Sequence, residues 1–363
     1  MKRFLLLALL SIAINTGFCA DYSKIDKQSE TVPSNLKTAK EISRYLTRHL
    51  TSPTDKARAI YFWITHNIRY DVEKLNKSIT YSDSQELVDE VLIYRKGVCS
   101  NYTALFKACC QSVGIESYIV DGYIRLNGKL VLVGHSWNAI KIDNKFYNID
   151  ATWAAGYVAN GKFHQQFRDS EFMITPAVFI KSHIPFDPIW QFSTNPISFK
   201  DFDTNNFDNR EKSAYFDFSD SIKTISTLNP LEKLKRERQR IIHNGISNKL
   251  VAEIVGYLSS DIENEELKIE VAKFNNAVSL FNEGAQTFNK YISALRNSGS
   301  EFIKPNPKLL EILNLARQKT RSASALVSQI KTKDSKLSTD INTFNKTIEK
   351  QIINIDREIN MVK

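Results

Sequence analysis

The stretch from Gly97 to Trp153 constrains the fold more than any other part of this chain. It sets a cysteine at the head of an amphipathic segment and follows it with β-rich runs joined by tight turns. After Cys99, the residues Ala104, Leu105, Ala108 and Cys109 recur at i, i+1, i+4 and i+5, which marks one face of a helix. The run ends near Gly114, a left-handed C-cap signal, so Cys99 lies at or just before a helix N-terminus. Ser117 to Arg125 and Lys129 to Val133 flank Asn127-Gly128, a strong hairpin signal. The β-rich run Leu130 to Ile142 carries His135. A turn at Asp143-Asn144 then leads to the strand-like run Lys145 to Asp150. A helix packed on an antiparallel sheet predicts an α+β fold.

Three residues in this stretch form a candidate nucleophilic site, in the order Cys99, His135, Asp150. The partial positive charge at a helix N-terminus favours a thiolate, and Arg95 and Lys96 precede the cysteine. In such a set the thiolate attacks a carbonyl, His135 moves the proton and Asp150 fixes the tautomer of His135. Each residue alone has a plainer role. Cys109 and Cys110 read as core residues, a strand histidine as a structural group, and an aspartate at a strand end as a turn former. The combination, in this order and context, is far more specific.

Beyond these residues, the chain resembles a known family. Gly97-Val98-Cys99, Leu105-Phe106, Gly114-Ile115, Gly122-Tyr123, His135-Ser136-Trp137-Asn138 and Asp150-Ala151-Thr152-Trp153 are similar to the transglutaminase-like superfamily, in its kyphoscoliosis-peptidase-type branch. Upstream, Ala59 to Asp71 resembles that family's first core helix. Downstream, Phe172 to Pro176 and His183 to Gln191 resemble the tail of the branch. The resemblance covers about residues 36 to 200. It implies a papain-like transglutaminase core with catalytic roles for the positions matching Cys99, His135 and Asp150. Family members often carry Gly or Asp two residues after the cysteine, where this chain has Asn101.

The first 20 residues read as an export signal: Lys2 and Arg3, then an apolar run from Phe4 to Ile14 that is too short to span a bilayer, then small residues at Gly17, Cys19 and Ala20. Phe18 before Cys19 is too bulky for a lipidation signal. No other stretch is apolar enough for a membrane span, so the expected product is periplasmic or extracellular. Processing would take the net charge from +9 to +7 by removing Lys2 and Arg3. The basic balance reads as a lysine-rich solvated surface, and no aromatic-basic motif points to nucleic acid. Of the four cysteines, Cys99, Cys109 and Cys110 would remain, an odd number that leaves a free thiol. No Cys-x-x-Cys and no histidine pair at ligand spacing accompanies Cys99, so neither a metal nor an organic cofactor is expected.

Along the chain, a helix is expected from Pro33-Ser34 to about Leu50. A second begins with Ser52 as N-cap and Pro53 at its first position, with Trp63 and His66 as packing residues. A polar loop over 72–84 and a helix from Gln85 to Tyr94 lead to Gly97. Ala154 to Lys200 reads as irregular and aromatic-rich, with Trp153 as either cleft wall or core anchor, and with His164 and His183 as surface or loop-packing residues. Residues 201–225 form a linker or an ordered wrap. From 226 to 363 the chain turns to an all-α coiled-coil or helical-bundle arm. Its heptad seam runs Leu267, Val271, Phe274, Val278, Phe281, Ala285, Phe288, Ile292, Leu295. Breaks at 297–300 and 305–307 separate it from a run starting at Leu309 and another from Leu337 to Ile359. Connections this short favour antiparallel neighbours.

These features together predict an exported thiol enzyme acting on amide bonds of proteins or peptides. Peptidase or amidase chemistry is favoured over transglutaminase-type amine transfer. The competing reading is a non-catalytic scaffold with a degenerate fold, in which the arm serves self-association or partner binding.

Overall fold

A computed structural model describes residues 21–74, 84–208, 215–297 and 306–363. The signal-like segment, most of the 72–84 loop and the breaks at 298–300 and 305 fall outside them. Packing divides the chain into two compact units. The first runs to Lys223 and also takes in Asn244–Val251; the second comprises Thr224–His243 and Ala252–Lys363. The segment 244–251 thus belongs with the first unit, although it lies inside the stretch that the sequence assigns to the arm.

The first unit opens with helices α1 (Ser23–Ser29), α2 (Ala39–Thr47) and α3 (Pro53–Asn67). Helix α2 starts later than the proline signal suggested because Thr38 and Glu41 form a reciprocal capping box that fixes its first turn. Helix α3 starts as expected, with Ser52 accepting from the Asp55 N–H and Pro53 at the first position. From Ala57 to Thr65 α3 is buried on every side, so it is the central rod of the core rather than an amphipathic surface helix. Strand β1 (Arg69–Tyr70) pairs in parallel with β2 (Lys96–Gly97), which follows helix α4 (Ser84–Tyr94).

Helix α5 (Cys99–Ser112) packs against β3 (Glu116–Leu126) and β4 (Lys129–Ile142). Asn127 and Gly128 join these strands, both with positive φ, which is the two-residue turn the Asn-Gly pair requires. With β5 (Lys145–Ile149) and β8 (His183–Pro185) they form an antiparallel sheet in the order β5-β4-β3-β8. The supposedly irregular region holds a short helix α6 (Ala151–Ala155), a second hairpin of β6 (Gly156–Ala159) and β7 (Lys162–Gln165), and helix α7 (Pro176–Phe179). The signal for that hairpin, Asn160-Gly161, was present in the sequence; both residues have positive φ. Helix α8 (Phe199–Asp203) buries Phe199 and Phe202 in the core, so the boundary segment begins as an ordered wrap.

The second unit is helical: α9 (Phe218–Thr227, shared across the division), α10 (Pro230–His243), α11 (Lys249–Asn297), α12 (Pro307–Val327) and α13 (Ser335–Val362). Two apolar clusters join α11, α12 and α13, one around Tyr291, Leu313 and Ile355 and one around Ala277, Ala323 and Ile348. In these clusters the buried line of α11 is Ala277, Gly284, Tyr291, which flanks the Phe274, Phe281, Phe288, Leu295 column of the predicted seam on the side away from Val278, Ala285 and Ile292; the seam residues themselves are mostly half-buried. Contact with two neighbouring helices explains this: the apolar stripe is wider than the seam and extends past it to Leu280 and Ala294. A Cβ at Gly284 would come 2.7 Å from Thr320 Oγ1.

Candidate active site

The local fold brings the three sequence-selected residues together. Cys99 is the first residue of α5 and partly exposed. Its backbone is held from the side by Asn101, the position that departs from the resembled family. The buried Asn101 side chain accepts from the Val98 N–H (3.0 Å) and donates to the Leu87 carbonyl (3.1 Å) and to Glu90 Oε2 (3.0 Å). That packing requires glycine at position 97, where a Cβ would lie 2.5 Å from Asn101 Cβ. Asn138 on β4 donates to the Thr103 carbonyl of α5 (3.1 Å), clipping the helix that carries the thiol to the strand that carries the imidazole.

His135 Nε2 donates to Asp150 Oδ2 at 2.7 Å. The Cys99 thiol is hydrogen-bonded to His135 and to the Ser136 N–H. Burial pushes the thiol up, but the hydrogen bond and charge of His135 and the Ser136 N–H outweigh it and hold Cys99 below its ordinary value. Burial opposes the charged imidazole as well; the Asp150 charge and hydrogen bond, with the thiolate, overcome it and raise His135 to about 10. Asp150 is buried, and the two imidazoles beside it hold its carboxyl well below the usual range. The two shifts together favour the thiolate–imidazolium form of the pair. Arg95 and Lys96 take no part in this, contrary to the sequence expectation. Arg95 lies over the Trp63 ring and Lys96 reaches Asp71 and Glu73. Cys109 and Cys110 are buried, and burial pushes the Cys109 thiol up to about 12 and Cys110 well above its ordinary value.

Asp150 also caps α6, its Oδ1 accepting from the Thr152 and Trp153 N–H groups, both at 2.9 Å. Its Oδ2 accepts a second imidazole, His183 Nε2, at 3.3 Å. His183 was expected at the surface or packing a loop; it is instead buried on β8 beside Asp150. Ligand atoms of His135, Asp150 and His183 lie within 4.8 Å of one another, a spacing that suits a metal ion. Every acceptor direction of Asp150 is already filled by an N–H donor, so we read them as a hydrogen-bonded cluster. Trp153 lies 5.9 Å from the His135 ring and walls the cleft. His164 is exposed and stacks on Tyr157, as expected of a surface residue.

The cleft above Cys99 has a volume of about 360 Å³. Its walls are apolar and aromatic, from Ile124, Leu126, Val131 and Val133 on the β3–β4 hairpin and Tyr157, Val158 and Phe163 on the β6–β7 hairpin. Arg168 is the charged side chain in that lining other than His135, and Tyr70 supplies a hydroxyl. Tyr70 pairs in register with Gly97, which brings its phenol beside Cys99. Burial, then the Cys99 charge, pushes that phenol up to about 12, so it remains a donor.

A family model described as the transglutaminase-like superfamily matches residues 40–151, the span from α2 to the residue after Asp150. Those residues form a transglutaminase-like domain. Kyphoscoliosis peptidase of Mus musculus is 28% identical over 204 residues, covering 52% of this chain and 29% of that protein. Hillarin of Drosophila melanogaster is 24% identical over 206 residues, covering 50% of this chain and 24% of its own length. The chain thus spans less than a third of these relatives. A solved structure described as a TGase is 20% identical, covers 43% of this chain and 38% of that one, and superposes with a TM-score of 0.26. The transglutaminase-like domain carries the thiol, the imidazole and the carboxylate. His183 and the β6–β7 wall of the cleft come from the residues that follow it.

Proposed function

We propose that this protein is an exported thiol enzyme that acts on amide bonds of proteins or peptides, with Cys99 as nucleophile, His135 as acid and base, and Asp150 as its orienting partner. One observation carries this reading: a thiol at a helix N-terminus, hydrogen-bonded to an imidazole whose other nitrogen rests 2.7 Å from a buried carboxylate. In the first step the Cys99 thiolate adds to the carbonyl carbon, and the C–N bond breaks as His135 gives its proton to the departing amine. In the second, His135 takes a proton from water or an amine as that molecule attacks the thioester and the thiolate leaves. The Cys99 N–H, free at a helix N-terminus, and the Tyr70 hydroxyl are the two donors for the tetrahedral oxyanion. Tyr70→Phe should then lower kcat roughly a hundredfold while leaving iodoacetamide labelling of Cys99 unchanged.

Hydrolysis is favoured over amine transfer. A primary amine approaches as a cation, and the charged residue lining the cleft mouth is Arg168, with no carboxylate among the lining residues. Mass spectrometry of a glutamine-containing peptide, incubated with the protein with and without a primary amine, separates cleavage, deamidation and cross-linking. No product in any arm, together with equal iodoacetamide labelling of Cys99, Cys109 and Cys110 in the folded protein, would sink the reading. Export rests on residues 1–20 and is checked by N-terminal sequencing of the mature chain.

A further inference from the structure

Among the described residues, two histidines are buried, His135 at the cleft and His183 behind it, and the chemistry above uses only the first. His183 is held on all sides. Its ring stacks on Phe179 at 3.9 Å and 10°, with Trp153 at 4.4 Å and Trp137 at 5.2 Å. Its Nδ1 faces Ser182 Oγ at 2.8 Å, and its Nε2 faces Asp150 Oδ2 at 3.3 Å. An ionised carboxylate can only accept, so Nε2 carries the hydrogen and Nδ1 accepts from the serine hydroxyl.

The backbone is shaped to bring this ring to Asp150. Strand β8 pairs with β3 in the register Gly122↔Pro185, Tyr123↔Ile184, Ile124↔His183. A Cβ at position 122 would lie 2.1 Å from the Ile184 carbonyl oxygen and 2.6 Å from Trp137. Only glycine allows β8 this close. The Ser182 carbonyl and the Phe186 N–H then close the pairing with Arg125 (2.7 Å) and Asp121 (2.9 Å).

We propose that His183 is a positioning residue for the acyl-transfer site: its Nε2–H holds the Asp150 carboxylate at the rotation that faces His135. With His183 in place, Asp150 accepts four hydrogen bonds, two on each oxygen, all from protein N–H groups, and the carboxylate is fully buried. Without it, Oδ2 loses one donor in a buried site, and the carboxylate is free to turn away from His135 or to take up a proton. His183 itself stays neutral. Burial lowers it, the Asp150 charge works the other way, and the neighbouring His135 charge helps hold it at about 4. One carboxylate charge thus supports one imidazolium, and the second imidazole serves as a neutral donor.

The inference rests on the thiol-enzyme reading, and its test separates the two. In the full-length protein, His183→Phe keeps a flat ring between Phe179 and Trp153 but removes the donor; His183→Gln restores a donor to Asp150. His183→Phe should lower kcat up to about a hundredfold with KM unchanged, and should move the pH midpoint of Cys99 alkylation upward. His183→Gln should recover most of both. A folded His183→Phe with unchanged kcat and midpoint overturns the proposal, and so does equal loss in both variants, which would mark a packing role. If His183→Phe does not fold, nitrogen NMR of the wild-type imidazole decides: Nε2–H with bare Nδ1 supports the proposal, and Nδ1–H overturns it. If the wild type shows no turnover at all, the enzyme reading fails, and the alkylation midpoint still decides whether His183 positions Asp150.

Discussion

The two units bury different things. Among the described residues, eighteen of the nineteen buried polar or charged side chains lie in the first unit; Thr320 alone lies in the second. The first unit's polar groups bond across long stretches of sequence, as Asn138 does to Thr103 and His183 to Asp150. Thr320 bonds only one turn back along its own helix, to the Ala316 carbonyl at 2.9 Å. The contrast teaches how each unit is specified. Buried polar groups demand particular partners, and a chain that satisfies them has its geometry fixed to a fraction of an ångström. An apolar bundle asks only for volume and period, which is enough for a rigid rod.

Substitutions sharpen this comparison. In the first unit, removing a site group should cost rate and little stability: Cys99→Ala and His135→Ala should lose at least about 10⁴-fold in kcat, and Asp150→Asn roughly 10³- to 10⁴-fold. Thermal melts within a few degrees of wild type would accompany this; full activity in Asp150→Asn would make the carboxylate a mere helix cap. In the second unit the signs reverse. Leu313→Ala removes a fully buried side chain and should destabilise the helical unit by about 2–5 kcal/mol, while kcat on a small amide stays put. A matching fall in kcat would show that the units are not independent.

Two glycines make a finer pair. At Gly122 the added methyl meets a backbone oxygen, which cannot move without parting β3 from β8, so Gly122→Ala should cost about 1–3 kcal/mol and much of the activity. At Gly284 the nearest atom is Thr320 Oγ1, buried and bonded to the Ala316 carbonyl, with the Ala316 oxygen and the Thr320 nitrogen at 3.2 Å, so α12 must shift to admit the methyl, while the helix gains back up to about 1 kcal/mol from the exchange. Gly284→Ala should therefore cost less than Gly122→Ala in a denaturant melt and leave kcat unchanged. Equal effects would mean the sheet yields as easily as the bundle.

The smallest effect is a pH dependence. His183 sits at about 4 in the folded chain against 6.5 in its ordinary state, so the unfolded chain binds more protons between these values. Its contribution to stability rises with pH across that window and is lost on acidification. Glu171 works against it: burial first, then the Asp150 charge, pushes its carboxyl up to about 7, so its contribution falls as pH rises from 4.5 to 7. The readable quantity is the difference between variant and wild type, and His183→Phe should remove an acid-side slope of about one proton.

Legibility followed the same division. Cys99 at a helix start, the Asn127-Gly128 turn and Pro53 behind Ser52 are local signals, and each matches an observed element. The arm's heptads announced helices, but the enclosed line is Ala277, Gly284, Tyr291, because contact with two neighbouring helices extends the stripe to one side of the seam, onto Ala277 and Gly284, which hydrophobicity alone does not flag. His183 was missed for a different reason. Its neighbours Ile184-Pro185-Phe186 lie in a stretch that reads as irregular, and its partner Asp150 is 33 residues away. The helix-terminus argument placed Cys99 at a helix start, where it lies, but credited Arg95 and Lys96 with lowering its pKa, whereas the imidazole carries that effect. Sequence proximity is a poor guide to which charge faces which.

The segment Asn244–Val251 bears on how the molecule comes into being. Asn248 donates to the Tyr123 hydroxyl (3.2 Å) and to Asp203 Oδ2 (2.9 Å), and Ser247 reaches the same carboxylate at 2.5 Å. Tyr123 sits on β3 one residue from Gly122, where β8 docks with His183. On the ribosome, all of the sheet emerges before Asn248 is made, 125 residues after Tyr123. A nascent chain halted at Lys223 would hold Cys99, His135, Asp150 and His183 yet lack the clasp on β3. Synthesis therefore delivers the nucleophile early and its last brace late, and between His183 and Asn248 the chain must add α8, α9 and α10.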